Sequence, residues 1–134
     1  MNDFNTDIIK EFRDNNGVVG GMFGSMALLL LSSTGAKSGQ TYTNPLAFTK
    51  DGDNYVIVAS KGGAPSNPDW YHNLVANHHV TVEVGGEKFE GTAKQVHGAE
   101  YERLFGQHAA AYPQFNDYKA KTTRHLPVFV ITRD

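Results

Sequence analysis

Thr41-Tyr-Thr-Asn-Pro-Leu-Ala-Phe-Thr-Lys-Asp-Gly-Asp-Asn-Tyr-Val-Ile-Val-Ala-Ser60 decides the fold. Thr41 to Lys50 reads as a strand, Asp51-Gly52-Asp53 as a hairpin turn, and Tyr55 to Ser60 as the returning strand. Pro45 lacks an N–H for a ladder, so it puts its strand at a sheet edge or a bulge. Two strands joined by a tight turn run antiparallel.

Working outward, Met26 to Ser32 is an apolar run short enough for a buried strand, and Thr34 to Gln40 is a turn with two glycines. Lys61 to Pro68 reads as a loop. Ser66 or Asn67 can cap a helix that has Pro68 in its first turn, Asp69 at its positive end and a terminus near Asn77. His79 to Val84 and Glu87 to Val96 form a second hairpin through Gly85-Gly86. Ala99 to Tyr112 sets Tyr101, Leu104, Phe105, His108 and Tyr112 on one helical face. Gln114 to Lys121 is a shorter helix, and Pro127 to Thr132 is the last strand. Near the start, Ile8, Ile9 and Phe12 mark an amphipathic helix over about 6–14, ended by Asn15-Asn16-Gly17. About six strands lie mostly in hairpins. They predict one α+β, mainly β domain over 1–134: an antiparallel sheet closed into a small barrel with flanking helices.

Composition excludes several classes. The 134 residues include no cysteine, which removes disulfides, thiolate metal sites and a catalytic thiol. A net charge of −2 argues against a nucleic-acid partner. The apolar stretch Val18 to Leu31 is too short to span a bilayer and is broken by Gly20, Gly21 and Gly24. Acidic rather than basic residues precede it, unlike a signal peptide. We therefore expect a cytoplasmic protein, with peripheral membrane contact through this stretch as the alternative. The histidines lack metal-binding spacing, so no metal is expected.

Two loops combine glycine, lysine and small hydroxyls: Gly35-Ala-Lys-Ser-Gly39 and Ser60-Lys-Gly-Gly63. Glycine lets backbone N–H groups approach a ligand, and lysine adds charge. Either loop is also an ordinary turn. Together they suit an anionic ligand, though neither is a Walker A loop. Aromatic residues surround them, among them Tyr42, Trp70, Tyr71 and the segment Tyr112-Pro-Gln-Phe-Asn-Asp-Tyr118. These residues point to a planar, anionic cofactor that carries the chemistry.

Leu28 to Gln40, Asn44-Pro-Leu46, Ala59 to Leu74, Asn77, Tyr112 to Tyr118 and Arg124 to Val128 resemble the deazaflavin-dependent nitroreductase family. The resemblance implies a split β-barrel that binds coenzyme F-420, an 8-hydroxy-5-deazaflavin, with FMN as the alternative cofactor. It implies hydride transfer to a small planar acceptor: a quinone, a nitroaromatic or an activated unsaturated compound. A non-catalytic deazaflavin carrier is the alternative of another class. Homodimers occur among related barrels.

By the same resemblance, Lys37 and Ser38 would meet the phosphate and tail. Tyr42, Thr43, Asn44, Pro45 and Leu46 would line the ring and ribityl chain. Ala59, Ser60 and Lys61 would hold the ring edge, and Trp70, Tyr71 and Asn73 would close the site. Ser60, Tyr112 and Tyr118 are implied to orient the acceptor or relay a proton. Ala36 and Tyr42 stand where relatives often carry arginine. Ala47 and Phe115 replace tyrosines of the members that activate nitroimidazoles, which separates prodrug reduction from quinone reduction.

Overall fold

A computed structural model describes residues 3–15, 27–63, 66–123 and 125–134. The elements are α1 (Asp3–Asp14), β1 (Leu28–Thr34), β2 (Thr41–Ala47), β3 (Thr49–Asp51), β4 (Asn54–Val58), a 3-10 turn (Lys61–Gly63), α2 (Asp69–Ala76), β5 (His79–Val84), β6 (Glu87–Val96), α3 (Gly98–Ala111), α4 (Gln114–Lys121) and β7 (Val128–Arg133).

One antiparallel sheet holds all seven strands in the order β2-β1-β5-β6-β7-β4-β3. The expected strand from Thr41 to Lys50 is divided at Phe48, which makes seven strands rather than about six. That division shapes the fold. β2 and β3 lie at opposite ends of the sheet order, yet Phe48 alone joins them. One residue cannot bridge a flat seven-stranded sheet whose strands lie about 4.8 Å apart. The sheet therefore curls until its two edges meet as a split barrel. Pro45 sits on β2, an edge strand, opposite Leu30.

Strand alternation sends neighbouring residues to opposite faces. Leu29, Leu31, Ile57, Ala59, Phe129 and Ile131 join one core with Val80, Val82, Phe89 and Ala93, inside the barrel. Val56, Val58, Val128 and Val130 face outward onto Tyr101, Leu104, Phe105, Tyr112 and Phe115 of the α3–α4 region. Leu28 and Leu30 face α1, which buries Ile9 and Phe12 against them. Burial on both faces explains why these strands read as continuous apolar runs rather than alternating ones.

Helix α1 begins at Asp3, earlier than expected, and an exposed bidentate pair from Arg13 to Glu83 ties it to β5. Residues 16–26, with Asn16-Gly17 and most of the apolar stretch, lie outside the described residues. Pro68, rather than Ser66 or Asn67, is the N-cap of α2, which puts it outside the first turn, and it brings no side-chain cap bond. No helix among the described residues is long and apolar enough to cross a membrane.

Helix α3 covers the short edge strand β3 residue by residue. Arg103 makes a bidentate pair with Asp51, Gln107 Nε2 donates to the Lys50 carbonyl at 2.7 Å, and His108 Nδ1 lies 3.0 Å from Thr49 Oγ1. Tyr112, the C-cap of α3, extends the series to Phe48 by donating its hydroxyl at 2.8 Å.

Candidate cofactor cleft

A cleft of about 710 Å³ opens between the turn after β1, the start of β2 and the outer face of α2. Gly35, Ala36, Lys37, Ser38, Tyr42, Thr43, Asn44, Asp69, Trp70, His72 and Asn73 line it. Its size suits a cofactor-sized ligand.

The turn is closed by Gly35 N to Gln40 O at 2.7 Å and Gly39 N to Gly35 O at 3.0 Å. A Cβ at Gly35 would lie 2.6 Å from Ser38 Oγ and 2.7 Å from the Tyr42 ring, so a larger residue there would displace both side chains. Ser38 Oγ accepts from Gln40 N and lies 3.1 Å from the Tyr42 hydroxyl. The N–H groups of Lys37 and Ser38 have no acceptor among the described residues, and the Lys37 ammonium has no acidic partner among them. Two successive free amides beside a lysine form a cradle for an anion. These donors fit the phosphodiester of a deazaflavin cofactor.

Across the cleft, Asn73 is buried in α2. Its Oδ1 accepts from Ala36 N at 3.0 Å and its Nδ2 donates to Ser33 Oγ at 3.3 Å. Trp70 shows the cleft an edge, being 5% exposed, and packs on Phe129 with ring centroids 6.0 Å apart. On β2, Thr43 is fixed by Ser32 at 2.9 Å, and Asn44 pairs with Leu31.

Of the residues expected at the site, Lys37, Ser38, Tyr42, Thr43, Asn44, Trp70 and Asn73 meet in this cleft. Pro45 and Leu46 continue β2 beyond it, and Leu46 packs on the barrel core. Tyr71 also packs there, its ring 5.9 Å from Phe129. Ala59 and Ser60 are buried at the end of β4, and Lys61 is exposed with φ of 47°.

The 3-10 turn Lys61–Gly63 packs against α4 rather than into the cleft. At Gly63 φ is +83°, and a Cβ would lie 2.7 Å from the Tyr118 carbonyl. Ser60, Lys61 and Tyr118 therefore share a second locus. Tyr118 is half-buried with its ring 5.2 Å from Phe115. Tyr112 is 8% exposed, and its hydroxyl is bonded to Phe48 O and Ala27 N.

Asp69 and His72 line the cleft, although the sequence reading gave them no binding role. Their i, i+3, i+4 spacing with Asn73 was the available signal, since it places all three on one helical face. Among the described residues no three His, Asp or Glu side chains are grouped to hold a metal.

The F420H(2)-dependent quinone reductase model matches residues 6–133. The chain belongs to this family. It is 44% identical over 128 residues to a protein of Mycobacterium tuberculosis strain H37Rv that carries the family name, covering 91% of this chain and 85% of that one. The solved F420-H2 dependent reductase FDR-A superposes with a TM-score of 0.73 at 39% identity, over 78% of this chain and 93% of its own. A further structure, described as a domain-swapped dimer, gives 0.74 at 35% identity, over 95% and 98%. The expected deazaflavin family and barrel are thus found, with quinone reduction as the named activity of the relatives.

Proposed function

We propose that this chain is an oxidoreductase that reduces a quinone with reduced coenzyme F-420. The cleft carries the reading: a cofactor-sized groove whose free lysine and free amides suit a phosphodiester, in a member of this family. Lys37 and the amides of Lys37 and Ser38 hold the phosphodiester. Thr43 and Asn44 border the ribityl chain, and Trp70 closes the cleft from α2. A ligand that extends from the cleft toward the α4 locus would bring its polar ring edge to Ser60 and Lys61.

When bound, the reduced deazaflavin supplies a hydride. A quinone that accepts a hydride needs one proton to become the hydroquinone. We assign that proton's delivery to the Tyr118 hydroxyl, replenished from solvent, because Tyr112 is engaged on both sides by backbone. The protein's own work is alignment and exclusion of water, which general precedent values at several kcal/mol of barrier. Ala47 and Phe115 restrict the acceptor to quinones in preference to nitroimidazoles. Phe115 is 7% exposed and offers no hydroxyl to a nitro group.

Fluorescence titration with coenzyme F-420 and, separately, FMN tests the cofactor. Quinone-dependent loss of the reduced-cofactor absorbance tests the reaction. Micromolar or tighter binding of the deazaflavin with quinone turnover supports the reading. Binding of FMN alone overturns the cofactor, and tight deazaflavin binding without turnover across a quinone panel leaves a carrier.

A further inference from the structure

We infer that Gly63 is a positioning residue for the acceptor side of the site: its bare backbone lets α4 seat on the 3-10 turn, which sets where the Tyr118 hydroxyl stands. The inference rests on the proton delivery assigned to Tyr118 above. Gly63 is buried, with φ of +83°. A Cβ there would lie 2.7 Å from the Tyr118 carbonyl oxygen and 3.1 Å from both Tyr118 Cα and Lys121 Cβ. None of these atoms is the far end of a flexible side chain. A substituent could be admitted only by moving the helix or the turn.

The turn is the better anchored of the two. Ala59 N donates to Pro127 O at 2.8 Å, Ser60 N to Val58 O at 3.0 Å, and Gly63 N to Ser60 O at 2.9 Å. Ala59 and Ser60 are buried. Helix α4 is fixed in the core near its start by Phe115, whereas Lys119, Ala120 and Lys121 are exposed. Lys119 reaches over the Phe105 ring, 4.7 Å from its centroid, a contact that a long side chain keeps through small shifts. A helix of 8 residues does not hold itself, so its seat on the turn decides where its second half lies. The seat also acts in the other direction. Lys61 has φ of 47°, a left-handed backbone that a residue with a side chain keeps only where its surroundings impose it. Packing of α4 on this turn is one such constraint. Ser60 and Lys61 are thereby held in register with Tyr118.

The test begins with Gly63→Ala. Its kcat with a quinone should fall about tenfold, comparable to Tyr118→Phe, while affinity for coenzyme F-420 changes by less than about threefold. In the Tyr118→Phe background the same substitution should cost less than about twofold, because the two act through one hydroxyl. A merely structural loss would cost the same factor in both backgrounds or fall on cofactor affinity. Either result overturns the inference.

Hydrogen exchange on the wild-type protein needs neither turnover nor a variant. The amides of Gly63 and of Tyr118 to Lys121 should open with one free energy, and coenzyme F-420 should protect them together. Opening of α4 independently of the turn overturns the inference, whether or not Gly63→Ala folds. Failure of the underlying reading shows differently. Tyr118→Phe with unchanged kcat sinks the proton assignment, and absence of coenzyme F-420 binding sinks the cofactor. Common opening in the free protein then judges the seat by itself.

Discussion

The Tyr112 hydroxyl is inserted between the two chains of the barrel seam: it donates to Phe48 O at 2.8 Å and accepts from Ala27 N at 3.2 Å. Phe48 N in turn donates to Ala27 O at 3.1 Å. One phenol thus completes the pairing where β2 bends into β3. Tyr112→Phe leaves a donor and an acceptor unpaired in a partly buried place, at about 1–3 kcal/mol. Urea unfolding should show that loss, while deazaflavin affinity stays within twofold. A variant as stable as wild type but poor in turnover would return Tyr112 to the chemistry.

Tyr118 stands apart, because no seam hydrogen bond occupies it. Tyr118→Phe keeps the ring packed against Phe115 and removes only the hydroxyl. Turnover with quinone should fall about tenfold or more, within the range of a positioned proton donor, with cofactor affinity retained. Steady-state kinetics beside a fluorescence titration separates the two, and unchanged kcat would remove Tyr118 from the proton path.

Trp70 serves both core and cleft, so its removal tests two things at once. Trp70→Ala should cost about 3–5 kcal/mol through the cavity it opens beside Phe129 and Leu74. Trp70→Phe keeps most of the volume and is the informative variant. It should fold and alter affinity for the full cofactor and for 8-hydroxy-5-deazariboflavin, which lacks the phosphodiester tail, equally. Selective loss for the full cofactor would instead tie Trp70 to the tail.

His108 is fully buried among Thr49, Tyr112 and Phe115, and its Nε2 has no hydrogen-bond partner among the described residues. Burial lowers its pKa from 6.5 to about 4, because a second ring proton would be both charged and unpaired. The unfolded chain takes up the proton first. Stability from the neutral imidazole is therefore intact above pH 6.5 and lost as the pH falls toward 4, by about 3 kcal/mol in all. Urea midpoints for wild type and His108→Phe should converge or cross over that range. Parallel curves would show that other groups carry the acid transition.

Much of the fold was legible because hairpin turns and apolar runs are local signals. Asp51-Gly52-Asp53 and Gly85-Gly86 marked their turns, and α4 spans the predicted residues. The break at Phe48 was not legible. Nothing in Ala47-Phe-Thr49 signals a turn, and the bend comes from closing the barrel and from Tyr112, 64 residues away. In the cleft, the turn was legible from its own glycines, lysine and serine, whereas the site roles of Trp70, Tyr71 and Asn73 came only from the family resemblance. The hydrogen bonds of Asn73 were hidden because its partners, Ala36 and Ser33, are 37 and 40 residues distant. Asp69 was read only as a helix-end charge, although it also borders the cleft.

The two strands at the ends of the sheet are each covered in part by a helix. Helix α1 packs on β2, and α3 contacts β3 at each of its three residues. An uncovered strand edge is a template on which other chains add and aggregate. Here the safeguard against self-association is carried by helices rather than by sheet chemistry. Conditions that peel α1 away, such as high salt weakening the exposed Arg13–Glu83 pair, would expose β2 for intermolecular pairing before the barrel core is lost.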